Sequence, residues 1–192
     1  MAPYLESVKS FADVPVTDAG VDTLAFLEAA QGVVGLFERS EGNITKVRAR
    51  YDAFPDQSST LELLVVNEKT EKKRTATEGL LWLLRGLAFT CKALQLAQAN
   101  ASEELAAAFS KSYEGTLKKF HNFVVKGIFS VAMKACPYRA DFYAKLAADP
   151  AGGPSVSADK LSDDLNKWLA ALDSIVKRME TFYEVGGHSK GF

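Results

Sequence analysis

Trp82 and Arg85 share one flank of the stretch 77–94, TEGLLWLLRGLAFTCKAL. An indole N–H and a guanidinium both need hydrogen-bond partners once removed from water, so the pairing is unusual for plain core. Two readings stand: a gap-filling indole beside an arginine ion-paired through Glu78, or a face that lines a ligand site. His121 falls within the apolar series Leu117, Phe120, Val124, Ile128, Val131 and Ala135. A buried neutral imidazole has one donor and one acceptor, so it is either a satisfied core residue or a grip for an amide or hydroxyl. On the other side of that stretch Phe123 projects among Lys119, Lys126, Ser130 and Lys134. Such a ring gains nothing in water, whereas at a membrane it enters the headgroup region while the ammoniums meet anionic lipid. The alternative is an isolated exposed Phe, which is common. Asn43 and Lys46 lie on one face of an earlier helix, joined by Arg39 if that helix extends backwards; alone they read as its solvated side. No nucleophile–base pair, glycine-rich phosphate loop or metal-ligand spacing is legible, which leaves an enzyme with His121 as base the weakest reading.

The elements that must hold these residues read as helices. Leu80, Leu84, Leu87, Cys91 and Leu94 form one apolar stripe, and Trp82, Phe89 and Ala93 form a second nearly opposite. A helix apolar on two sides is sandwiched between layers. Ahead of it, residues 1–22 read as an arm with turns near Pro15 and Gly20, pinned by Phe11 and Val14. Thr23 is placed to cap a helix carrying Leu24, Leu27, Ala30, Val33, Val34 and Phe37. A second helix covers 42–54 and stops before Pro55, and Ser59 or Thr60 caps a third carrying Leu61, Leu64, Val65 and Glu68. The run 68–74, EKTEKKR, reads as a solvated linker or helix end. After a polar break at 100–104, one long pattern covers 103–135 and ends at Pro137. A short helix at 141–148, the loop DPAGGPSVSA at 149–158, an amphipathic helix at 161–185 and a tail at 186–192 follow. No useful period-two pattern interrupts this series, so the chain reads all-α.

Composition narrows the function classes. A chain of 192 residues is most simply one domain with a core of its own. A net charge of −1 carries no nucleic-acid footprint. Cys91 and Cys136 are isolated, which suits reduced cytosolic thiols better than a disulfide framework or metal site. The N-terminus lacks the pattern of a signal peptide, and no run is read as long enough to cross a bilayer, so membrane contact is expected to be peripheral.

Three separated motifs carry a resemblance: GNITKVRARYD at 42–52, EGLLWLLRGLAF at 78–89, and TLKKFHNFVVKGIF with CPYRADF between 116 and 142. In that order they resemble the glycolipid transfer protein family, and SFADVP with TEGLLWLLRGL looks most like its fungal branch associated with heterokaryon incompatibility. The resemblance implies a two-layer all-α sandwich of about eight helices, a single domain over 1–192 enclosing an apolar pocket for the hydrocarbon chains of one sphingolipid. It implies that Trp82 stacks on the first sugar, that Asn43 and Lys46 bond its hydroxyls, and that His121 binds the ceramide amide group. Phe37, Phe89, Ile128, Phe129 and Met133 would line the hydrocarbon pocket, and Phe123, with Lys119 and Lys126, would dock on the membrane. The implied function is non-enzymatic carriage of glycosphingolipids between membranes by a cytoplasmic monomer without cofactor, metal or nucleic acid. The barrier to such carriage is large: at about 0.8 kcal/mol per methylene, a ceramide with about thirty of them is held in its bilayer by on the order of 20 kcal/mol.

One departure bears on the headgroup. Where the family carries an Asp that holds the ceramide amide and a sugar hydroxyl, this chain has Arg39, and the segment before Gly42 is shorter by roughly twelve residues, about 18 Å of helix. Arginine donates and cannot accept, so it cannot grip an amide N–H, but it can bind phosphate. Against a full switch, phosphate-selective relatives carry a basic residue where this chain has Trp82. A lipid sensor or transfer-impaired relative, a phosphosphingolipid carrier and a helical scaffold for a protein partner therefore stand as alternatives.

Overall fold

The computed structural model describes residues 3–34 and 41–192. Phe37, Glu38 and Arg39 lie outside them. Nine α-helices occur among the described residues: α1 (Tyr4–Ser7), α2 (Thr23–Val34), α3 (Glu41–Ala53), α4 (Leu61–Glu68), α5 (Thr75–Ala99), α6 (Leu105–Gly115), α7 (Phe123–Lys134), α8 (Arg139–Ala147) and α9 (Ala158–Val185). Two short strands, β1 (Val16–Thr17) and β2 (Gly20–Val21), pair antiparallel with Val16 opposite Val21. A ladder this short is below what alternation can reveal in a sequence. The residues form two compact units, Lys9–Leu87 with Ala171–Phe192 and Met1–Val8 with Ala88–Ala170, called here the Trp82 unit and the His121 unit. α5 and α9 each contribute one half to each unit.

In the Trp82 unit, Phe11 and Val14 pin the arm as expected, and Phe11 packs on Phe26 of α2 with ring centroids 6.1 Å apart. Asp22, not Thr23, caps α2: its Oδ1 accepts from the Ala25 N–H at 2.8 Å, while the Thr23 N–H donates to the Ser59 carbonyl. An Asx side chain one residue earlier reaches the orphan N–H that Thr23, already helical, cannot. Thr60 caps α4 through the Leu63 N–H. The run 68–74 is not simply solvated. Glu68 is buried, and its carboxylate accepts from the N–H groups of Ala76 and Thr77 and from the Thr77 hydroxyl, capping α5 from the end of α4. A carboxylate at a helix N-terminus satisfies orphan donors and meets the positive end of the dipole. Glu71 pairs with Arg50 at 2.7 Å.

The tail at 186–192 is tied to the same unit. The His188 N–H donates to the Tyr183 carbonyl and the Gly187 N–H to the Glu184 carbonyl, with Gly187 at φ +61°, which is a Schellman stop to α9. The Arg74 guanidinium donates to the carbonyls of His188 and Lys190 and covers the Phe192 ring at 4.3 Å. The Tyr183 hydroxyl donates to the Thr77 carbonyl at 2.8 Å, joining α9 to the first turns of α5.

In the His121 unit the single pattern expected over 103–135 is broken. α6 ends at Gly115, a 3-10 turn occupies Lys118–Phe120, and Asn122 starts α7 afresh by accepting from the Val125 N–H at 3.0 Å. The break resets the helical frame, so the expected stripe does not hold. Leu117 is buried, whereas Phe120, Val124, Ile128, Val131 and Ala135 are exposed; Met133 is the buried residue of α7. α5 also departs from expectation, since by length and composition it is apolar enough to cross a bilayer. Its apolar residues are committed to packing, Leu80, Leu83, Leu84 and Leu87 in one unit and Cys91, Ala93, Leu94 and Ala97 in the other.

Candidate functional site

In the Trp82 unit the site is built on the approach of α3 to α5 at Gly79. A Cβ at Gly79 would stand 3.0 Å from Lys46 Cβ, 3.1 Å from Lys46 Cδ and 3.3 Å from the Asn43 carbonyl oxygen. The missing side chain lets the Asn43–Lys46 turn of α3 lie directly on α5. Trp82 is one turn further along α5, about 5 Å on at the helical rise. Asn43 and Lys46, singled out from sequence, thus lie against α5 three residues before Trp82. Asn43 and Trp82 are half-buried and Lys46 is exposed. Ile44 and Val47, on the buried side of α3, hold the helix in place.

The Arg85 guanidinium lies over the indole of Trp82, 4.7 Å from its centroid. A cation over the ring face is attracted by its quadrupole. Burial pulls the Arg85 pKa below its ordinary value, and the facing Tyr183 phenol opposes that shift. Arginine stays charged regardless. One face of the indole thus carries a cation.

In the His121 unit a cluster of rings surrounds the imidazole. Phe89 packs edge-on against Phe109, Tyr113 and Phe129 at centroid distances of 5.4, 6.3 and 6.2 Å. Tyr113 stacks on Phe129 with 10° between planes, and His121 lies 4.6 Å from Phe129. His121 follows the 3-10 turn and is half-buried, rather than lying on a helix face. Its Nδ1 is 3.1 Å from the Tyr113 hydroxyl. Burial, then the Lys126 ammonium, lowers the His121 pKa, so the ring is neutral at pH 7. The structure thus joins His121 to Phe89 and Phe129, two of the residues expected to line a hydrocarbon pocket. Met133 is buried, while Ile128 is 44% exposed.

Phe123 is 90% exposed at the first turn of α7. Lys126, Ser130 and Lys134 follow on the same helix, but Lys119 belongs to the preceding turn and its ammonium lies over Phe120 at 5.0 Å. Val124 and Val131 add exposed apolar area on this helix. Phe37 and Arg39 fall outside the described residues.

Three contributors escaped the sequence reading. Gly79 carried a usable signal, because a glycine inside a helix costs about 1 kcal/mol against alanine and points to close approach. Glu68 carried one too, as a charge on the apolar face of α4. Tyr113 carried none, because its alignment with His121 depends on the chain break between α6 and α7.

Rings paired with single polar groups suit holding a ligand rather than transforming one, which makes this a binding protein by the chemistry of both clusters. A family model described as glycolipid transfer protein (GLTP) matches residues 21–148. The chain is 44% identical over 186 residues to the glycolipid transfer protein of Aureobasidium melanogenum, covering 91% of this chain and 89% of that protein. It is 30% identical over 196 residues to human pleckstrin homology domain-containing family A member 8, covering 93% of this chain but 38% of that protein. Among solved structures, the fungal glycolipid transfer protein HET-C2 matches with a TM-score of 0.85 at 43% identity, over 94% of this chain and 96% of the other. FAPP2, described as selecting simple glycosphingolipids using the GLTP fold, matches at 0.84 and 28% identity over 98% of both chains. Human ceramide-1-phosphate transfer protein, at 15% identity and a TM-score of 0.80, shares the fold. The chain belongs to the glycolipid transfer protein family, whose members carry lipids and are not enzymes.

Proposed function

We propose that this protein carries glycosphingolipids with a simple sugar headgroup between membranes, without chemical change. The observation that supports the reading is the close approach at Gly79, which lays the Asn43–Lys46 turn of α3 on α5 three residues before Trp82. The indole face offers a flat apolar platform for the C–H side of a pyranose, and Asn43 and Lys46 supply hydrogen bonds to its hydroxyls. His121 takes the ceramide amide, and Phe89, Phe129 and Met133 receive hydrocarbon. Recognition adds selectivity; burial of the chains supplies most of the roughly 20 kcal/mol that desorption requires.

Docking is assigned to Phe123, with Lys119 and Lys126, on anionic membrane surfaces. An almost fully exposed ring on a helix that also carries Lys126 and Lys134 suits binding an interface through apolar insertion and charge together. The protein acts as a cytoplasmic monomer in this reading.

The test is transfer of fluorescent galactosylceramide from donor to acceptor vesicles. Wild type works catalytically, and Trp82→Ala abolishes uptake while leaving helical content and unfolding midpoint close to wild type. Stoichiometric binding without transfer would make the protein a sensor, and unchanged uptake by Trp82→Ala would remove the stacking role. Ceramide phosphate run in parallel reports whether Arg39 has redirected the headgroup preference.

A further inference from the structure

We infer that Tyr113 is a positioning residue for lipid recognition: its hydroxyl donates to His121 Nδ1 and thereby fixes the proton of the imidazole on Nε2. The inference rests on the reading that His121 meets the lipid amide, and adds to it which way that hydrogen bond runs.

The geometry is specific. Tyr113 is buried on α6, and its hydroxyl oxygen lies 3.1 Å from Nδ1. The phenol ring cannot drift, because it stacks on Phe129 at 5.2 Å and meets the edge of Phe89. The imidazole packs on the same Phe129 ring at 4.6 Å. Two polar tips are therefore held together by one shared apolar wall.

The direction of the bond follows from the chemistry of the partners. Burial raises the Tyr113 phenol, which stays protonated, and burial with Lys126 keeps His121 neutral. A phenol O–H is a stronger donor than a neutral imidazole N–H, and an imidazole nitrogen is a stronger acceptor than a phenol oxygen. The pairing O–H···Nδ1 wins on both counts. A neutral imidazole carries one ring proton, so acceptance at Nδ1 puts that proton on Nε2. The ring then offers a donor at Nε2, which matches the carbonyl of an amide and is mismatched to its N–H. Without the phenol the donor to Nδ1 is lost, the tautomer with its proton on Nδ1 gains population, and that form presents an acceptor to the carbonyl.

Tyr113→Phe tests this because it removes one oxygen and leaves both ring stacks. Long-range 1H–15N correlation of His121 in the purified protein reads the tautomer directly. In wild type we expect Nδ1 to be pyridine-like and Nε2 pyrrole-like, and in Tyr113→Phe both to move toward averaged values. Affinity for galactosylceramide in vesicles should fall about three- to tenfold, the effect of losing one buried hydrogen bond. A wild-type spectrum with the proton on Nδ1, or a Tyr113→Phe protein with unchanged tautomer and unchanged affinity, overturns the inference. His121→Ala separates this failure from that of the underlying reading. If His121→Ala loses uptake and Tyr113→Phe does not, the positioning role is wrong and amide binding by His121 stands. If His121→Ala keeps full uptake, His121 does not bind the lipid, and the functional half of the inference falls with it.

Discussion

Replacing Gly79 by alanine sets two effects of known sign against each other. Alanine in the interior of α5 gains about 0.5–1 kcal/mol of helix stability over glycine. Its Cβ would stand 3.0 Å from Lys46 Cβ, 3.1 Å from Lys46 Cδ and 3.3 Å from the Asn43 carbonyl oxygen. Rotation of the Lys46 side chain relieves the second of these. The other two are fixed to the backbone of α3, so relief there requires α3 to move off α5 by a few tenths of an ångström. Overpacking of this kind costs about 1–3 kcal/mol. The expected balance for Gly79→Ala is a stability change of about 0–2 kcal/mol in the destabilising direction, with galactosylceramide uptake reduced several-fold because Asn43 and Lys46 are carried away from Trp82. Gly79→Leu should lose more stability and essentially all uptake. Urea unfolding gives the first quantity and vesicle transfer at matched folded protein gives the second. A Gly79→Ala protein stabilised by the full helix-propensity gain, with uptake intact, would refute both the close approach and the recognition role built on it.

The remaining expectations are quicker to state. Glu68→Ala leaves the Ala76 and Thr77 donors without their carboxylate and should cost about 2–4 kcal/mol in chemical denaturation, whereas Glu68→Gln keeps an acceptor oxygen and should cost less; equal losses would contradict the capping role. Phe123→Ala should weaken adsorption to anionic vesicles more than binding of lipid presented in micelles, and equal loss in both would contradict docking through α7. His188 is buried against Phe182, and burial, then Lys69 and Arg74, holds its pKa below the ordinary value. The unfolded chain therefore takes up a proton first as pH falls below about 6.5, and native stability declines toward acid by at most about 1.4 kcal/mol per pH unit for this residue. His188→Gln should flatten that part of the decline; identical pH profiles for the two proteins would show that the tail histidine is not held neutral.

The helices were legible because their signal is local. Leu80, Leu84 and Leu87 recur at the helical repeat, Thr60 stands at a capping position and Pro55 stops what precedes it; neighbours within a turn or two are enough to specify each. Trp82 and His121 were legible as candidates because an indole and an imidazole at otherwise apolar positions call for partners. The break between α6 and α7 was less so. Apolar residues continue through it at near-helical spacing, and only the reach of the Asn122 side chain to the Val125 N–H shows that a new helix has begun.

What the sequence determined by itself is the all-helical character and the residue types available for recognition, since side-chain chemistry and short-range periodicity are properties of the chain alone. The tertiary structure decided which of them meet. It laid Lys46 on Gly79, buried Glu68 under the first turn of α5, tied the tail to Arg74 and set the Tyr113 hydroxyl against His121. Each of these needs two elements docked at one angle and depth, and that geometry follows from the packing of many side chains at once rather than from the spacing of any few.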